Sequence, residues 1–190
     1  MSDKQILHKN IAEFITVSAE FCAFINKCEK FLRIDFIDKS IKILTLLYLK
    51  ASMIDVVEDE HNGYLEKFVT EDEYNKIHAL VAEKIGSHEA YFDIVDSVGY
   101  DSNESVNVSI TECYADIYQD IMNFVMLYRD FDDDERVVAV ADCIANFKTF
   151  WGTRALRLIS ELHLIKYGDR ILENEKFSDV SESDNKSEIW

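Results

Sequence analysis

The chain has 190 residues, of which 48% are hydrophobic, and its formal net charge is −17. This length and composition allow one substantial core, so we expect a single helical domain over residues 1–172 and an acidic, loosely held tail over residues 173–190. The negative charge disfavours nucleic acid and anionic membranes as partners, because both bind to surfaces rich in lysine and arginine.

Residues that interrupt helices are rare in this sequence. Proline is absent and glycine occurs only five times. Inside a helix proline costs about 3 kcal/mol and glycine about 1 kcal/mol, so their rarity in long apolar-periodic stretches predicts an all-α fold. We expect a bundle of about five to six helices in which the last two form an antiparallel pair.

Targeting signals and cysteine usage indicate where the protein works. The N-terminal residues lack the basic head and apolar run of a signal peptide, and the most apolar stretch, residues 43–49, is flanked by Lys42 and Lys50. We therefore expect neither export nor a membrane span. No two cysteines form a CxxC pair, and all lie at apolar helical positions, which fits core thiols and a cytoplasmic location; they are Cys22, Cys28, Cys113 and Cys143.

The first half of the chain predicts three helices. Apolar residues recur at helical spacing over residues 2–32. Residues 35–53 are apolar on nearly every side, so we expect a largely buried second helix at the centre of the core. Thr70 and Glu73 form a capping box that opens a third helix, and Gly86 ends it.

Residues 87–109 lose helical periodicity and collect Ser, Asn, Asp and Gly. This composition predicts a short helical turn followed by a long loop. Loops of that length often carry function, but an ordered surface crossover is the preferred explanation of the segment.

Two long helices follow, and they differ in charge. Ser109 is a suitable N-cap for the first, residues 132–135 begin the second, and Gly168 ends it. The connection is very short, which predicts antiparallel packing. Residues 85–135 hold 13 acids and one base, whereas residues 136–172 hold 3 acids and 6 bases.

Five stretches resemble an uncharacterised family of bacterial all-helical proteins known only as a domain of unknown function. They are EFCAFIN at 20–26, LLYLKAS at 46–52, FVTEDEY at 68–74, ADIYQDIMNFV at 115–125 and FKTFWGTRALRLISELH at 147–163. The resemblance covers roughly residues 10–168, and the last two stretches are the most specific. It implies a helical fold and a bacterial, cytoplasmic origin, but it brings no reaction, cofactor or catalytic residue.

A row of acids is the first candidate for a site. Glu112, Asp116 and Asp120 are spaced four apart on one helix, and the row turns from solvent toward the apolar stripe, so Asp120 should be the least exposed. A turn centred near residue 132 places Glu112 level with Arg154 and Asp116 level with Lys148 on the last helix.

This row allows two interpretations. The first is a set of interhelical ion pairs that fix the pairing of an acidic helix with a basic one. The second is a polar pocket between the last two helices, in which Arg154 holds an anion or the carboxylates hold a divalent cation, with His163 as a further member. Gly152, in mid-helix, indicates that another backbone or a ligand approaches closely there.

Catalytic and metal motifs are not evident. The Glu-x-x-His at residues 58–61 lacks the second copy that carboxylate di-iron bundles require, and neither HExxH nor GxSxG occurs. We therefore predict no cofactor and no metal, and whether the chain is an enzyme stays open. The function that fits best is a cytoplasmic protein-binding or adaptor module with an acidic surface. The alternatives are an enzyme or small-anion or metal-binding protein built on the polar pocket, and self-association.

Overall fold

A computed structural model describes residues 3–55, 65–86, 90–95, 104–130 and 133–168. The Glu-x-x-His at 58–61 and the tail at 173–190 lie outside these residues. The elements run in the order α1 (Asp3–Asn26), a 3₁₀ turn (Cys28–Lys30), α2 (Arg33–Ser52), α3 (Glu71–Ile85), β1 (Ala90–Val95), β2 (Glu104–Ser109), α4 (Ile110–Asp130), α5 (Asp133–Asn146), a π turn (Phe147–Trp151) and α6 (Gly152–Tyr167). The all-α fold is confirmed.

The core is one continuous cluster of buried apolar side chains, and α4 runs through its centre. Eleven of the 21 residues of α4 are buried, among them Tyr114 and Tyr118. Phe14 of α1 stacks between Phe124 of α4 and Trp151 of the π turn, with ring centroids 5.1 and 6.5 Å away. Burial of such large rings is a main favourable term in folding.

The second helix is less buried than its composition predicts. One stripe of α2 is buried, including Leu44 and Leu47. The opposite face exposes Leu46 by 42%, Leu49 by 50% and Met53 by 43%. Helices α1 and α6 pack against α2 on two sides, and the remaining side faces outward in the described part of the chain. The prediction of a largely buried second helix is therefore wrong, and α4 takes the central place.

The expected loop at residues 87–109 is also a correction. β1 and β2 pair as an antiparallel two-stranded sheet, with Ala90 opposite Ser109 and Val95 opposite Glu104. The strands contain aromatic and β-branched residues in short runs, as in residues 91–95 and 106–108, which favour extended backbone. The Ser and Asn content obscured that signal.

The predicted helix ends are largely confirmed. The side chain of Thr70 accepts a hydrogen bond from the Glu73 amide at 3.2 Å, and Ser109 accepts one from the Glu112 amide at 3.1 Å. Gly86 ends α3 with a positive φ of 59°, a conformation that favours glycine.

The last predicted helix is interrupted by the π turn, where hydrogen bonds skip one extra residue. The Gly152 amide donates to the Phe147 carbonyl, five residues earlier. A Cβ at position 152 would lie 2.4 Å from that carbonyl oxygen and 2.8 Å from the Phe147 ring. The predicted close approach at Gly152 is therefore present, but the approaching group is a neighbour in the same helical run.

Two further expectations concern the cysteines and the membrane. All four cysteines are free and buried, as predicted for core thiols. Among the described residues, no helix combines the length and apolar character that a bilayer crossing requires.

Candidate functional site

The acid row on α4 is graded in exposure. Glu112 is exposed, while Asp116 and Asp120 are half-buried. The Oδ2 atom of Asp120 is fully enclosed and has no hydrogen-bond partner among the described residues. Burial raises the pKa of the Asp120 carboxyl to about 6. The row therefore runs from solvent at Glu112 to an enclosed carboxyl at Asp120.

Asp116 is held on both of its oxygens. The Arg154 Nε donates to Oδ2 at 2.8 Å, and the Tyr74 hydroxyl donates to Oδ1 at 3.0 Å. Burial, followed by the charge of Asp116, raises the pKa of Tyr74 above its ordinary value, so the phenol stays protonated as a donor. The three side chains come from α3, α4 and α6 and join these helices.

The observed pairing differs in register from the predicted one. Arg154 binds Asp116 rather than the level position Glu112, which lies one helical turn away. Side chains on a helix lean toward its N-terminus. In an antiparallel pair, Arg154 and Asp116 therefore lean toward each other, and the long arginine side chain spans the offset.

The pairing with Asp116 uses only one of the hydrogen-bond donors of the Arg154 guanidinium. Its side chain is 31% exposed, and its terminal amino groups have no hydrogen-bond partner within the described ranges. Its guanidinium carbon lies 3.7 Å from the ring centroid of Phe150, which the π turn leaves 37% exposed. This arrangement is a cation–π stack with one open edge.

His163 does not join this cluster. It lies nine residues after Arg154, about 13 Å along α6, where it is exposed and stacks on Tyr167 with ring centroids 4.8 Å apart. The predicted constellation thus divides into the Asp116–Arg154 pair, the enclosed Asp120 and a separate surface histidine.

Asp120 lines a small cavity, and Arg154 is not among the residues that border it. The cavity has a volume of about 20 Å³ and is also bordered by Asn123, Asp142 and Cys143. The Oδ1 of Asn123 accepts the amides of residues 68 and 69 at 2.8 and 3.0 Å. Its Nδ2 is buried without a partner among the described residues. This volume suits one water molecule rather than a substrate.

A larger groove of about 510 Å³ lies between α1 and α2. Its floor is apolar and is formed by Ala23, Phe24, Phe31, Ile43 and Leu46. The exposed Leu49 and Met53 continue the same face of α2 at spacings of three and seven residues from Leu46.

The rim of this groove is basic in a protein of net charge −17. Lys27, Lys39 and Lys42 border it, with Glu20 as the single acid. Lys42 pairs with Asp38 at 2.6 Å. Lys27 and Lys39 have no carboxylate partner in the described part of the chain, and Lys39 lies 4.0 Å above the Phe31 ring. We call this feature the lysine groove.

Comparison with known proteins identifies the family. The sequence model described as "Domain of unknown function (DUF5063)" matches residues 5–168. The chain belongs to the DUF5063 family. This confirms the resemblance found in the sequence, and the family description assigns no reaction, ligand or partner.

A solved relative supports the same assignment. The crystal structure of protein BF1032 from Bacteroides fragilis, a structural-genomics target, is 34% identical and superposes with a TM-score of 0.76. The match covers 88% of this chain and 98% of that chain. No curated protein matches the chain.

Three of the five DUF5063-like stretches meet at Asp116. Tyr74 comes from the stretch at 68–74, Asp116 from that at 115–125 and Arg154 from that at 147–163. The lysine groove of this DUF5063 domain was missed in the sequence. Its signal in the sequence is the pair Lys39 and Lys42 beside apolar positions of α2.

Proposed function

We propose that this DUF5063 domain is a cytoplasmic protein-binding module whose lysine groove binds an acidic, amphipathic segment of a partner protein. The lysine groove itself carries the proposal, because it combines an apolar floor with a basic rim. An amphipathic segment buries its apolar side chains in such a groove and places its carboxylates at the rim.

The rim lysines favour a partner segment that carries negative charge. Lys27 and Lys39 are exposed and lack a carboxylate partner among the described residues, so a partner's acids can pair with them without displacing an existing ion pair. Basic segments would meet these lysines as like charges at close range, which is unfavourable.

The net charge of −17 opposes an acidic partner at long range. At physiological ionic strength the Debye length is about 8 Å, so charges beyond the groove are largely screened. The lysines at the rim then dominate the contact. The cytoplasmic location is supported by four free, buried thiols, which suit a reducing compartment.

The test is an NMR titration of the full chain with a helical peptide that carries leucines on one face and glutamates on the other. We expect amide shift changes confined to the lysine groove and lost in Lys39→Glu. Lys76→Glu, an exposed lysine of α3 outside the groove, is the matched control and should bind normally. Equal binding of a peptide with lysines in place of the glutamates would refute the charge assignment.

Arg154 favours a second candidate function, the binding of a small anion. Its open guanidinium edge and the exposed Phe150 face leave room for a carboxylate or phosphate beside an arginine already oriented by Asp116. Thermal shifts with inorganic phosphate and citrate test this candidate. A stabilisation present in the wild type and absent in Arg154→Ala supports it, and an unchanged melting temperature at high anion concentration refutes it.

A further inference from the structure

We propose that the lysine groove binds a partner helix in one direction, antiparallel to α2, with an acidic C-terminal turn of that helix against Lys27 and Lys39. This inference rests on the proposed function, because it concerns the same groove. It adds the direction of the bound helix and the end of the helix at which its acids lie.

The unpaired positive charge lies at one end of the groove. Lys27 directly follows α1, and the Lys39 ammonium lies 4.0 Å from the ring centroid of Phe31, in the connection between α1 and α2. Lys84 of α3 adds a third ammonium at this connection, where it donates to the Glu29 and Phe31 carbonyls at 3.0 and 2.8 Å. None of the three lysines forms an ion pair with a carboxylate among the described residues.

The acids near this end leave the rim basic. Glu29 in the 3₁₀ turn and Asp35 in the first turn of α2 are exposed, but neither borders the groove. Asp35 precedes Lys39 by one helical turn, yet the two form no ion pair within the described ranges. Glu20, the acid that does border the groove, lies about two turns before Lys27 on α1.

The other end of this face is apolar and carries no unpaired charge. Beyond the groove floor, α2 exposes Leu49 by 50% and Met53 by 43%. Lys50, which follows Leu49, is already paired with Glu13 of α1 at 2.6 Å. From Lys39 onward, the surface therefore changes from basic to apolar over about 14 residues of α2, or about 21 Å.

This gradient favours an occupant that is graded in the same way. A helix of about 14 residues, with apolar side chains spaced by three and four, covers this length and packs on Leu46, Leu49 and Met53. Its carboxylates are best placed at one end, since the connection is where the described face offers lysines without carboxylate partners.

The helix dipole determines which end that is. The C-terminus of an α-helix carries about half a negative charge and the N-terminus about half a positive charge. Next to Lys27 and Lys39, a C-terminal turn adds to the attraction of its acids, whereas an N-terminal turn reduces it. Because α2 begins at the connection, a helix bound this way runs antiparallel to α2.

The affinity test compares two peptides of identical composition, each about 16 residues long with leucines along one face. The first carries three glutamates in its last turn, and the second carries them in its first turn. By calorimetry, the full chain should bind the first about tenfold more tightly. Acids at the N-terminus make a free helix more stable, so peptide helicity favours the second peptide and cannot produce this preference.

Variants of the rim show where the preference arises. In the double variant Lys27→Gln and Lys39→Gln, the two affinities should become about equal. Lys76→Gln, at an exposed position of α3 outside the groove, is the matched control and should keep the preference. Loss of the preference in Lys76→Gln as well would overturn the assignment to the groove lysines.

The direction is measured with a nitroxide on the N-terminus of the first peptide. We expect amide signals of residues 49–53 to broaden more than those of residues 27–31. The opposite pattern would overturn the inference.

The outcomes separate the two proposals. Equal affinities for the two peptides, with amide shift changes still confined to the lysine groove, would refute the direction and leave the binding module standing. If neither peptide shifts an amide signal of the groove, the binding module itself is wrong and the direction falls with it.

Discussion

The carboxylate of Asp116 is shared by the guanidinium of Arg154 and the hydroxyl of Tyr74, at 2.8 and 3.0 Å. The three groups lie on three helices that are far apart in sequence, so this single carboxylate ties α3 and α6 to α4. Its partial exposure limits the Coulomb energy of the ion pair, while the short, directed hydrogen bonds fix the relative position of the helices.

A double-mutant cycle should detect this coupling. Tyr74→Phe removes only the donor to Asp116 and should lower the free energy of unfolding by about 1 kcal/mol. The same change in an Asp116→Ala background should cost markedly less, because the acceptor is already gone. Urea denaturation measures both. Tyr128→Phe is the control, since the Tyr128 hydroxyl has no hydrogen-bond partner among the described residues and its loss should cost little. Additive losses would show that the hydrogen bond contributes nothing.

The π turn makes an unusual prediction about glycine. In an ordinary helix, Gly→Ala stabilises by about 1 kcal/mol. At Gly152 the added Cβ would lie 2.4 Å from the Phe147 carbonyl oxygen, so Gly152→Ala should instead destabilise by about 1–3 kcal/mol. Thr153→Ala, at the next and exposed position, is the control and should be neutral or stabilising. An increase in melting temperature for Gly152→Ala would contradict the π geometry.

The sequence predicted the helices well because local signals determine them. Thr70, Ser109 and Gly86 act within a few residues of the helix ends that they define. The π turn was not predictable in the same way, since it depends on how Trp151 packs and donates its indole hydrogen to the Cys143 carbonyl at 3.2 Å. A glycine in mid-helix signalled only that something was close.

Tertiary position explains the other differences. The face of α2 that carries Leu46 is as apolar as a core face, and only the placement of neighbouring helices leaves it outside. The candidate acids were located on the right helix, but their partners depended on side-chain direction and reach. Arg154 and Asp116 thus met, while His163 on the same helix as Arg154 did not.

The enclosed Asp120 predicts a pH-dependent stability. Burial raises its folded-state pKa to about 6, above the unfolded value of about 3.9, so the folded state binds the proton more tightly. The favourable contribution of the protonated Asp120 to the free energy of unfolding is complete below about pH 4. It is lost as the pH rises through 6. The charges facing it are Lys67 and Arg154, which favour ionisation, and Asp142 and Asp116, which oppose it.

Asp120→Asn should therefore stabilise the protein at pH 7.5 by about 1–2 kcal/mol, after allowance for solvent screening, and have little effect at pH 4. Glu112→Gln removes the same charge from an exposed position on the same helix and serves as the control. Urea denaturation across this pH range measures the difference. An equal gain in both variants would reflect the reduced net charge alone, and Asp120 would then carry no specific penalty.

The buried thiols predict how the domain opens. Burial raises the pKa of Cys22, Cys28 and Cys143 above the ordinary thiol range, and the reactive thiolate is therefore scarce in the folded state. Alkylation at pH 8 should be at least about a hundredfold slower at these sites than at an engineered surface thiol, because each reaction awaits a local opening of several kcal/mol. Ser52→Cys, exposed at the end of α2, supplies that surface thiol.

The order of reaction follows from position. Cys28 is buried and its thiol donates to the Leu80 carbonyl at 3.7 Å, but it lies in the short 3₁₀ turn between α1 and α2, which opens more readily than a long helix, so it should react first. Cys143 lies between Asp120 and the Trp151 indole in the core, and it should react last, with global unfolding. Peptide mass spectrometry at successive times resolves the sites. Reaction of Cys143 ahead of Cys28 would mean that α5 separates from α4 before the α1–α2 connection loosens.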